Sequence, residues 1–272
     1  MTEPLLPLIV EPDALEAALG TEGLLVVSVD EPATYAQAHV PGAVHLRFAS
    51  LIAPRPPAMG TIADAAQLSA AFSAIGLTPE THVVAYDGEG SGKASRLLWT
   101  LDVIGHRRFS LLNGGLQAWT KEGHPVETEP ATPTPSDYRV GAFGDALADK
   151  QYILDRLDDG STVVLDARTP AEYAGQDMRS ARGGHIPGAA NFDWMLAVDR
   201  DRNLRLKPEA ELRAMLEERG ITPDKEVVAH CQTHTRSSHS YIVLKSLGYP
   251  RIRGYDGSWS EWGNDPDVPV EA

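Results

Sequence analysis

The chain has 272 residues, 42% hydrophobic and 23% charged, with 38 acidic against 24 basic side chains and a net charge of −14. That length accommodates two globular domains, each large enough to bury its own core. The acidic balance disfavours nucleic acid and acidic membrane surfaces as partners, since both are held through clustered Lys and Arg.

No apolar run approaches the ~20 residues of a membrane helix, and Met1-Thr2-Glu3-Pro4 lacks the basic start of a signal peptide. A cytoplasmic protein is expected. One cysteine forbids an internal disulfide and argues against a thiolate zinc site, so neither a metal nor a cofactor is expected.

In chain order, residues 12–19 read as a short helix and Leu24-Leu25-Val26-Val27-Ser28-Val29 as a strand apolar on both faces, the pattern of a buried parallel sheet. His39-Val40-Pro41-Gly42-Ala43 is a turn-forming cluster. Residues 64–75 carry Leu68, Ala71, Phe72 and Ile75 at helical spacing, and Gly76 ends them. A strand is expected at His82–Tyr86, then the glycine-rich Asp87-Gly88-Glu89-Gly90-Ser91-Gly92, then a helix through Trp99 to Ile104. Gly88-Glu89-Gly90-Ser91-Gly92-Lys93-Ala94 superficially resembles a phosphate-binding loop. However, Asp87 stands where its first glycine should be and Ala94 where its Ser or Thr should be, so nucleotide binding is not expected.

The second half repeats this order. Val163-Val164-Leu165-Asp166-Ala167-Arg168 with Pro170 and Tyr173 matches Leu25–Asp30 with Pro32 and Tyr35. His185-Ile186-Pro187-Gly188-Ala189 matches the His39 cluster, Val227-Val228-Ala229-His230-Cys231 matches Val83-Val84-Ala85-Tyr86-Asp87, and Asp256-Gly257-Ser258 to Trp262 matches Asn113-Gly114-Gly115 to Trp119. Two long units of alternating strands and helices indicate a duplicated α/β domain, each copy a mainly parallel sheet flanked by helices. The expected division is 1–127 for the first domain, 128–144 for a proline-rich extended linker, and 145–272 for the second domain.

Features shared by both copies serve the fold. His39 and His185, each before a Pro-Gly turn, are read as structural, and Trp119 and Trp262 as core. Features in one copy are candidates for function.

Cys231 sits where an apolar strand hands over to a helix start. Unpaired backbone N–H groups and the helix dipole favour an anion there, and Arg236, His234 and His230 can add to the field. An inert buried cysteine is the alternative for a lone thiol, but the counterpart of Cys231 is Asp87, which cannot act as a sulfur nucleophile. The second copy is therefore read as catalytic and the first as silent.

Asp166-Ala167-Arg168 with Tyr173, Gly184-His185-Ile186-Pro187-Gly188-Ala189, the cysteine loop, and Gly257-Ser258-Trp259 to Trp262 together resemble the tandem-domain rhodaneses, or thiosulfate sulfurtransferases, over essentially the whole chain. The loop Cys231-Gln232-Thr233-His234-Thr235-Arg236 is most similar to that of bacterial rhodaneses of the Azotobacter type. The resemblance implies that Cys231 takes the outer sulfur of thiosulfate or a related anion as a persulfide, releases sulfite, and passes the sulfur to cyanide or a thiol in a ping-pong reaction. Gln232, Thr233, His234, Thr235 and Arg236 are the expected substrate-binding residues, their N–H groups steadying the anionic persulfide.

The departures from the family concern the donor. Mammalian rhodaneses place Arg and Lys directly after the cysteine and mercaptopyruvate sulfurtransferases place Gly-Ser-Gly, where this chain has Gln232 and Thr233. Both groups also carry an arginine before the tyrosine matched by Tyr173, where this chain has Glu172. A cationic hold on the donor is expected to be weaker, leaving His234, Arg236 and Arg182 to supply it. Arg236 reads either as a substrate cation or as a surface charge of its helix, His234 as a ligand or as a solvated loop residue, and Trp194 as pocket wall or core.

Two rival functions are open. One is a persulfide carrier serving a protein acceptor. The other is a phosphatase of the same fold, disfavoured because only four residues separate Cys231 from Arg236 and phosphatases of that type use five to cradle a phosphate. The duplication supplies an internal interface, so a monomer is expected.

Overall fold

In the computed structural model, which describes residues 4–272, the chain forms two compact units: residues 4–52, 63–144 and 199–206 build unit 1, and residues 53–62, 145–198 and 207–272 build unit 2. Two short segments thus fold with the unit that does not flank them in the chain.

The main sheet of unit 1 has five strands: β1 (Ile9–Val10), β2 (Leu24–Ser28), β3 (Val44–His45), β4 (His82–Tyr86) and β5 (Phe109–Leu112). They lie in the order β1-β5-β4-β2-β3, every neighbouring pair parallel. Its helices are α1 (Pro12–Ala18), α2 (Pro32–Gln37), α3 (Ala65–Ala74), α4 (Gly92–Val103) and α5 (Gly115–Lys121). Helix α3 shows how the sequence sets the ends: the Asp64 side chain accepts from the Gln67 N–H, and Gly76 takes φ 79° just beyond the last turn.

Unit 2 repeats the plan with β6 (Leu147–Ala148), β7 (Thr162–Asp166), β8 (Ala190–Asn191), β9 (Glu226–His230) and β10 (Ile252–Tyr255), ordered β6-β10-β9-β7-β8 and again all parallel. Its helices are α6 (Lys150–Leu154), α7 (Pro170–Tyr173), α8 (Glu209–Glu217), α9 (Arg236–Ser246) and α10 (Ser258–Trp262). The registers confirm the repeat residue by residue. Ser28 pairs with Tyr86 in unit 1 as Asp166 pairs with His230 in unit 2. The central strands β4 and β9 carry the apolar runs Val83–Ala85 and Val227–Ala229 at their centres, buried as a strand covered on both faces requires. The two-residue edge strands β1, β3, β6 and β8 are too short to show any periodicity in the sequence.

The shared features do serve the fold. His39 stacks on Tyr35 at 4.0 Å and its Nδ1 lies 2.7 Å from the Tyr35 carbonyl; His185 stacks on Tyr173 at 3.7 Å with Nδ1 3.0 Å from the Tyr173 carbonyl. Trp119 and Trp262 are buried in the two cores, and each indole N–H donates to a proline carbonyl, Pro125 and Pro269. The proline-rich stretch is extended and lies along unit 1. Glu127 exchanges backbone hydrogen bonds with His39, Ala131 donates to the Tyr35 hydroxyl, and Tyr138 and Val140 donate to Ser73 and Ser69.

Among the described residues no helix is long and apolar enough to cross a membrane.

Candidate active site

Strand β9 ends at His230, and Cys231 opens the loop that leads into α9. Three successive loop carbonyls are held away from the sulfur. The Gln232 carbonyl accepts from the Ser260 N–H at 3.0 Å, the Thr233 carbonyl packs under Gly60, and the His234 carbonyl accepts from the Ser238 hydroxyl at 2.5 Å. His234 takes φ 57°, the left-handed turn that lets the loop curl. With those carbonyls turned out, amides turn in: the Thr233 and Ser237 N–H groups and the Ser237 hydroxyl hydrogen-bond the Cys231 sulfur, and the Arg236 guanidinium faces it. This is an anion nest at a helix start.

Cys231 is 1% exposed. Burial pushes its thiol up, but the Arg236 charge and the hydrogen bonds from Ser237 and Thr233 outweigh burial and bring it below the usual thiol value. A buried, hydrogen-bonded thiolate is a competent sulfur nucleophile.

The cation behind this effect is itself paired. Arg236 donates from Nη1 to Glu172 Oε2 at 2.6 Å and from Nη2 to Oε1 at 2.8 Å. Glu172 is buried as the third residue of the capping box that Thr169 opens at α7, and Arg179 approaches it at 3.5 Å. Burial raises the Glu172 carboxyl, and the Arg236 hydrogen bonds and charge override it, holding the group at about 2. Arg236 is thus neither a loose surface charge nor an unopposed substrate cation. Glu172→Gln keeps the cap and removes the countercharge, so the ionisation midpoint of Cys231 is expected to fall by about half a pH unit. The cost is about 1–3 kcal/mol of stability. The pH dependence of iodoacetamide alkylation and a urea melt read the two effects; an unmoved midpoint would mean that Glu172 does not temper the field of Arg236.

The other sequence candidates fall into place around the nest. His234 is fully buried, not solvated, with Nδ1 2.7 Å from the Ser237 hydroxyl. The Gln232 side chain donates at 3.3 Å to the Arg179 carbonyl and the Ser180 hydroxyl. Thr235 is the N-cap residue of α9 and makes no side-chain cap bond. Arg182 spends its guanidinium on the carbonyls of Val268, Trp262 and Asp265, a structural role that overturns its candidacy as a donor cation. Trp194 is partly exposed and meets buried His239 edge-on at 5.5 Å. Two contributors escaped the sequence reading: Ser237, and Ser258, whose hydroxyl accepts from the Cys231 N–H at 3.3 Å.

Beneath the loop, Arg168 and Asp166 form a buried pair with bonds of 2.5 to 3.0 Å, and His230 Nε2 lies 3.5 Å from Asp166 Oδ2. Burial, offset in part by Asp166, holds His230 at about 4, and burial alone does the same to His239. Both values lie below the ordinary 6.5, so the unfolded chain binds the extra protons, and stability falls as pH drops from about 6.5 towards 4. Each histidine contributes up to roughly 3 kcal/mol to that loss. In unit 1, burial lowers His82 to about 4, but it also raises Asp30 to about 6, which acts in the opposite sense over the same range. Unit 2 is therefore expected to open first on acidification. Hydrogen exchange at pH 7 and pH 5, corrected for intrinsic rates, checks it; earlier loss of protection in β4 than in β9 would refute it.

Unit 1 makes the contrast with the nest explicit. Where unit 2 has Cys231, the Asp87 carboxyl accepts from the N–H groups of Glu89 at 2.9 Å, Ser91 at 2.8 Å and Ala94 at 2.8 Å. The corresponding nest is filled by the chain's own side chain.

Comparison with known proteins follows the same duplication. Residues 11–122 and 149–265 each match the rhodanese-like domain. The chain is 45% identical over 266 residues to a thiosulfate sulfurtransferase of Azotobacter vinelandii, covering 98% of this chain and 97% of that one. It is 34% identical to the sulfur carrier protein TtuD of Thermus thermophilus, covering 96% and 95%. An anaerobic ergothioneine biosynthesis enzyme of Chlorobium limicola superposes with a TM-score of 0.88 at 22% identity, over 97% of this chain and 70% of the other, a likeness of fold.

Proposed function

The chain belongs to the rhodanese family, with one such domain in each half, and on that footing we propose that it is a thiosulfate sulfurtransferase working as a monomer through a persulfide on Cys231. The observation that carries the reading is the nest of N–H groups, Ser237 hydroxyl and Arg236 around a buried sulfur in unit 2, set against the self-filled nest of unit 1.

In the first half-reaction the Cys231 thiolate attacks the outer sulfur of thiosulfate. A sulfur–sulfur bond forms to Cys231, the bond to the sulfonate sulfur breaks, and sulfite leaves with the electron pair. The terminal persulfide sulfur then carries the negative charge, and the same donors that lower the thiol stabilise it. In the second half-reaction cyanide or a thiolate attacks that terminal sulfur and the Cys231 thiolate departs, restoring the enzyme. No electron is gained or lost overall, and with one cysteine in the chain no internal thiol can intercept the persulfide as a disulfide.

Gln232, Thr233, His234, Thr235 and Arg236 are assigned to binding through the loop they form, with Thr233 supplying an amide and Arg236 the charge. Because Glu172 neutralises much of Arg236, the site favours a donor whose anionic end is held by amides over one bearing a carboxylate that demands a free cation.

A second reading rests on the 34% identical sulfur carrier protein: the Cys231 persulfide is delivered to a protein acceptor and turns over slowly with small molecules. Mass spectrometry after thiosulfate treatment tests the common core, with a gain of one sulfur on Cys231 expected. Timed discharge to cyanide, a dithiol or a candidate acceptor protein then separates enzyme from carrier. An unmodified Cys231 beside steady sulfite release would refute both.

A further inference from the structure

Residues 53–62 fold with unit 2 as a small hairpin. The Ala53 N–H donates to the Thr61 carbonyl at 2.9 Å, Arg55 N–H donates to Ala58 O at 2.9 Å, and the Thr61 hydroxyl returns to the Ala53 carbonyl. The hairpin is tied down on both sides of Gly60. The Met59 N–H donates to the Ser260 hydroxyl at 3.0 Å, and the Ile62 N–H to Asp256 Oδ2 at 2.7 Å.

Between those ties the Gly60 backbone lies against the cysteine loop. A Cβ added at Gly60 would stand 2.2 Å from the Thr233 carbonyl oxygen and 2.6 Å from its carbon, with backbone atoms that cannot rotate away. Gly60 lies outside the left-handed region, so contact and not torsion excludes a side chain there. Ser260 closes the circuit, since its hydroxyl holds the hairpin and its N–H holds the Gln232 carbonyl.

We propose that this hairpin is a strap that sets the orientation of the Gln232 and Thr233 peptides, so that the Thr233 N–H aims at the Cys231 sulfur, and that Gly60 is its positioning residue. Gly60 acts by fixing where the Thr233 Cα and carbonyl can lie. The added Cβ would also stand 2.8 Å from the Thr233 Cα, and displacing that atom swings the Thr233 N–H, whose peptide carries the Gln232 carbonyl that Ser260 holds, away from the nest. A displaced Thr233 peptide loses one of the donors that stabilise both thiolate and persulfide, and the nest weakens at the atom where charge collects.

The inference deepens the assignment of Cys231 as nucleophile, and its test reads the thiol directly, independent of turnover. In Gly60→Ala, the midpoint of the pH dependence of iodoacetamide alkylation is expected to rise by about half to one pH unit, and persulfide formation from thiosulfate to slow about 10-fold. Gly141→Ala, at a glycine with nothing within 4 Å of the added Cβ, is the volume control and should leave both unchanged. Ser260→Ala adds no volume and removes the tie to Met59 together with the hydroxyl's bond to the Gly257 carbonyl, so it carries the test if Gly60→Ala does not fold. Its midpoint should move the same way by a smaller amount. A folded Gly60→Ala with the wild-type midpoint, or in its absence a Ser260→Ala with the wild-type midpoint, overturns the proposal. Wild-type protein that alkylates normally yet takes no sulfur from any donor would instead overturn the sulfurtransferase reading and leave the strap standing.

Discussion

Cys231→Ser is expected to lower sulfite release from thiosulfate by at least about 10³-fold while leaving the fold intact. The substitution keeps a small polar atom in the nest, so the Thr233 and Ser237 donors retain a partner, and removal of a 1% exposed sulfur opens only a small void. What it removes is reactivity. A serine hydroxyl stays protonated in a field that suffices to ionise a thiol, and an alkoxide forms no persulfide. Thermal melting should stay within about 1 kcal/mol of wild type, and intact mass after thiosulfate treatment should show no added sulfur. Sulfite release persisting at more than a tenth of the wild-type rate would place the chemistry elsewhere in the chain.

Arg168→Met is expected to destabilise unit 2 by about 3–5 kcal/mol, the cost of breaking a buried ion pair by removing one partner. Arg168 is 1% exposed and Asp166 fully buried. The guanidinium also donates to the Gly184 carbonyl at 2.8 Å and lies 4.3 Å from the centre of the Trp259 ring. Methionine restores much of the volume, so the loss reports the stranded Asp166 charge and not a cavity.

His230 makes the effect depend on pH. With Arg168 gone, the Asp166 charge acts on His230 unopposed and raises the pH at which it is protonated. A folded-state value that rises adds stability below it, so the deficit should be smaller at pH 5.5 than at pH 8. Urea unfolding at the two pH values reads both terms. A loss below about 1 kcal/mol at pH 8 would show that the pair repays only its own desolvation. Unit 1, with Ser28 and Asp30 at the matching positions, should melt as before.

Much of this was legible in the chain because duplication prints the same physics twice. The runs around Val83 and Val227 are short, β-branched and apolar on both faces, and only a central parallel strand satisfies them. Cys231 stood out because its partner in the repeat is Asp87, a contrast that required no coordinates.

The site's wiring was hidden for the opposite reason. The pairing of Arg236 with Glu172 joins residues 64 apart, and neither neighbourhood announces the other. Glu172 looked like a missing cation, and it is the countercharge of the cation that remains. Ser237 is an ordinary residue for a helix's first turn, and its sulfur contact depends on how tightly the loop curls. His234 sits among polar neighbours that suggested solvent, yet its left-handed backbone folds the ring inward. The segment 53–62 carries no periodicity, and its place under the cysteine loop is decided wholly by tertiary contacts.

The Asp87 carboxyl, holding three amides in unit 1, gives the chain a built-in reference state. Its oxygens hang from carbon through bonds that no acceptor can cleave, so that copy holds its anion permanently, where the proposed persulfide of Cys231 would present a terminal sulfur that an acceptor can take. One half of the molecule keeps the receptacle and gives up the cargo; the other keeps its cargo removable. Turnover, on this view, is the privilege of the copy whose anion is on loan.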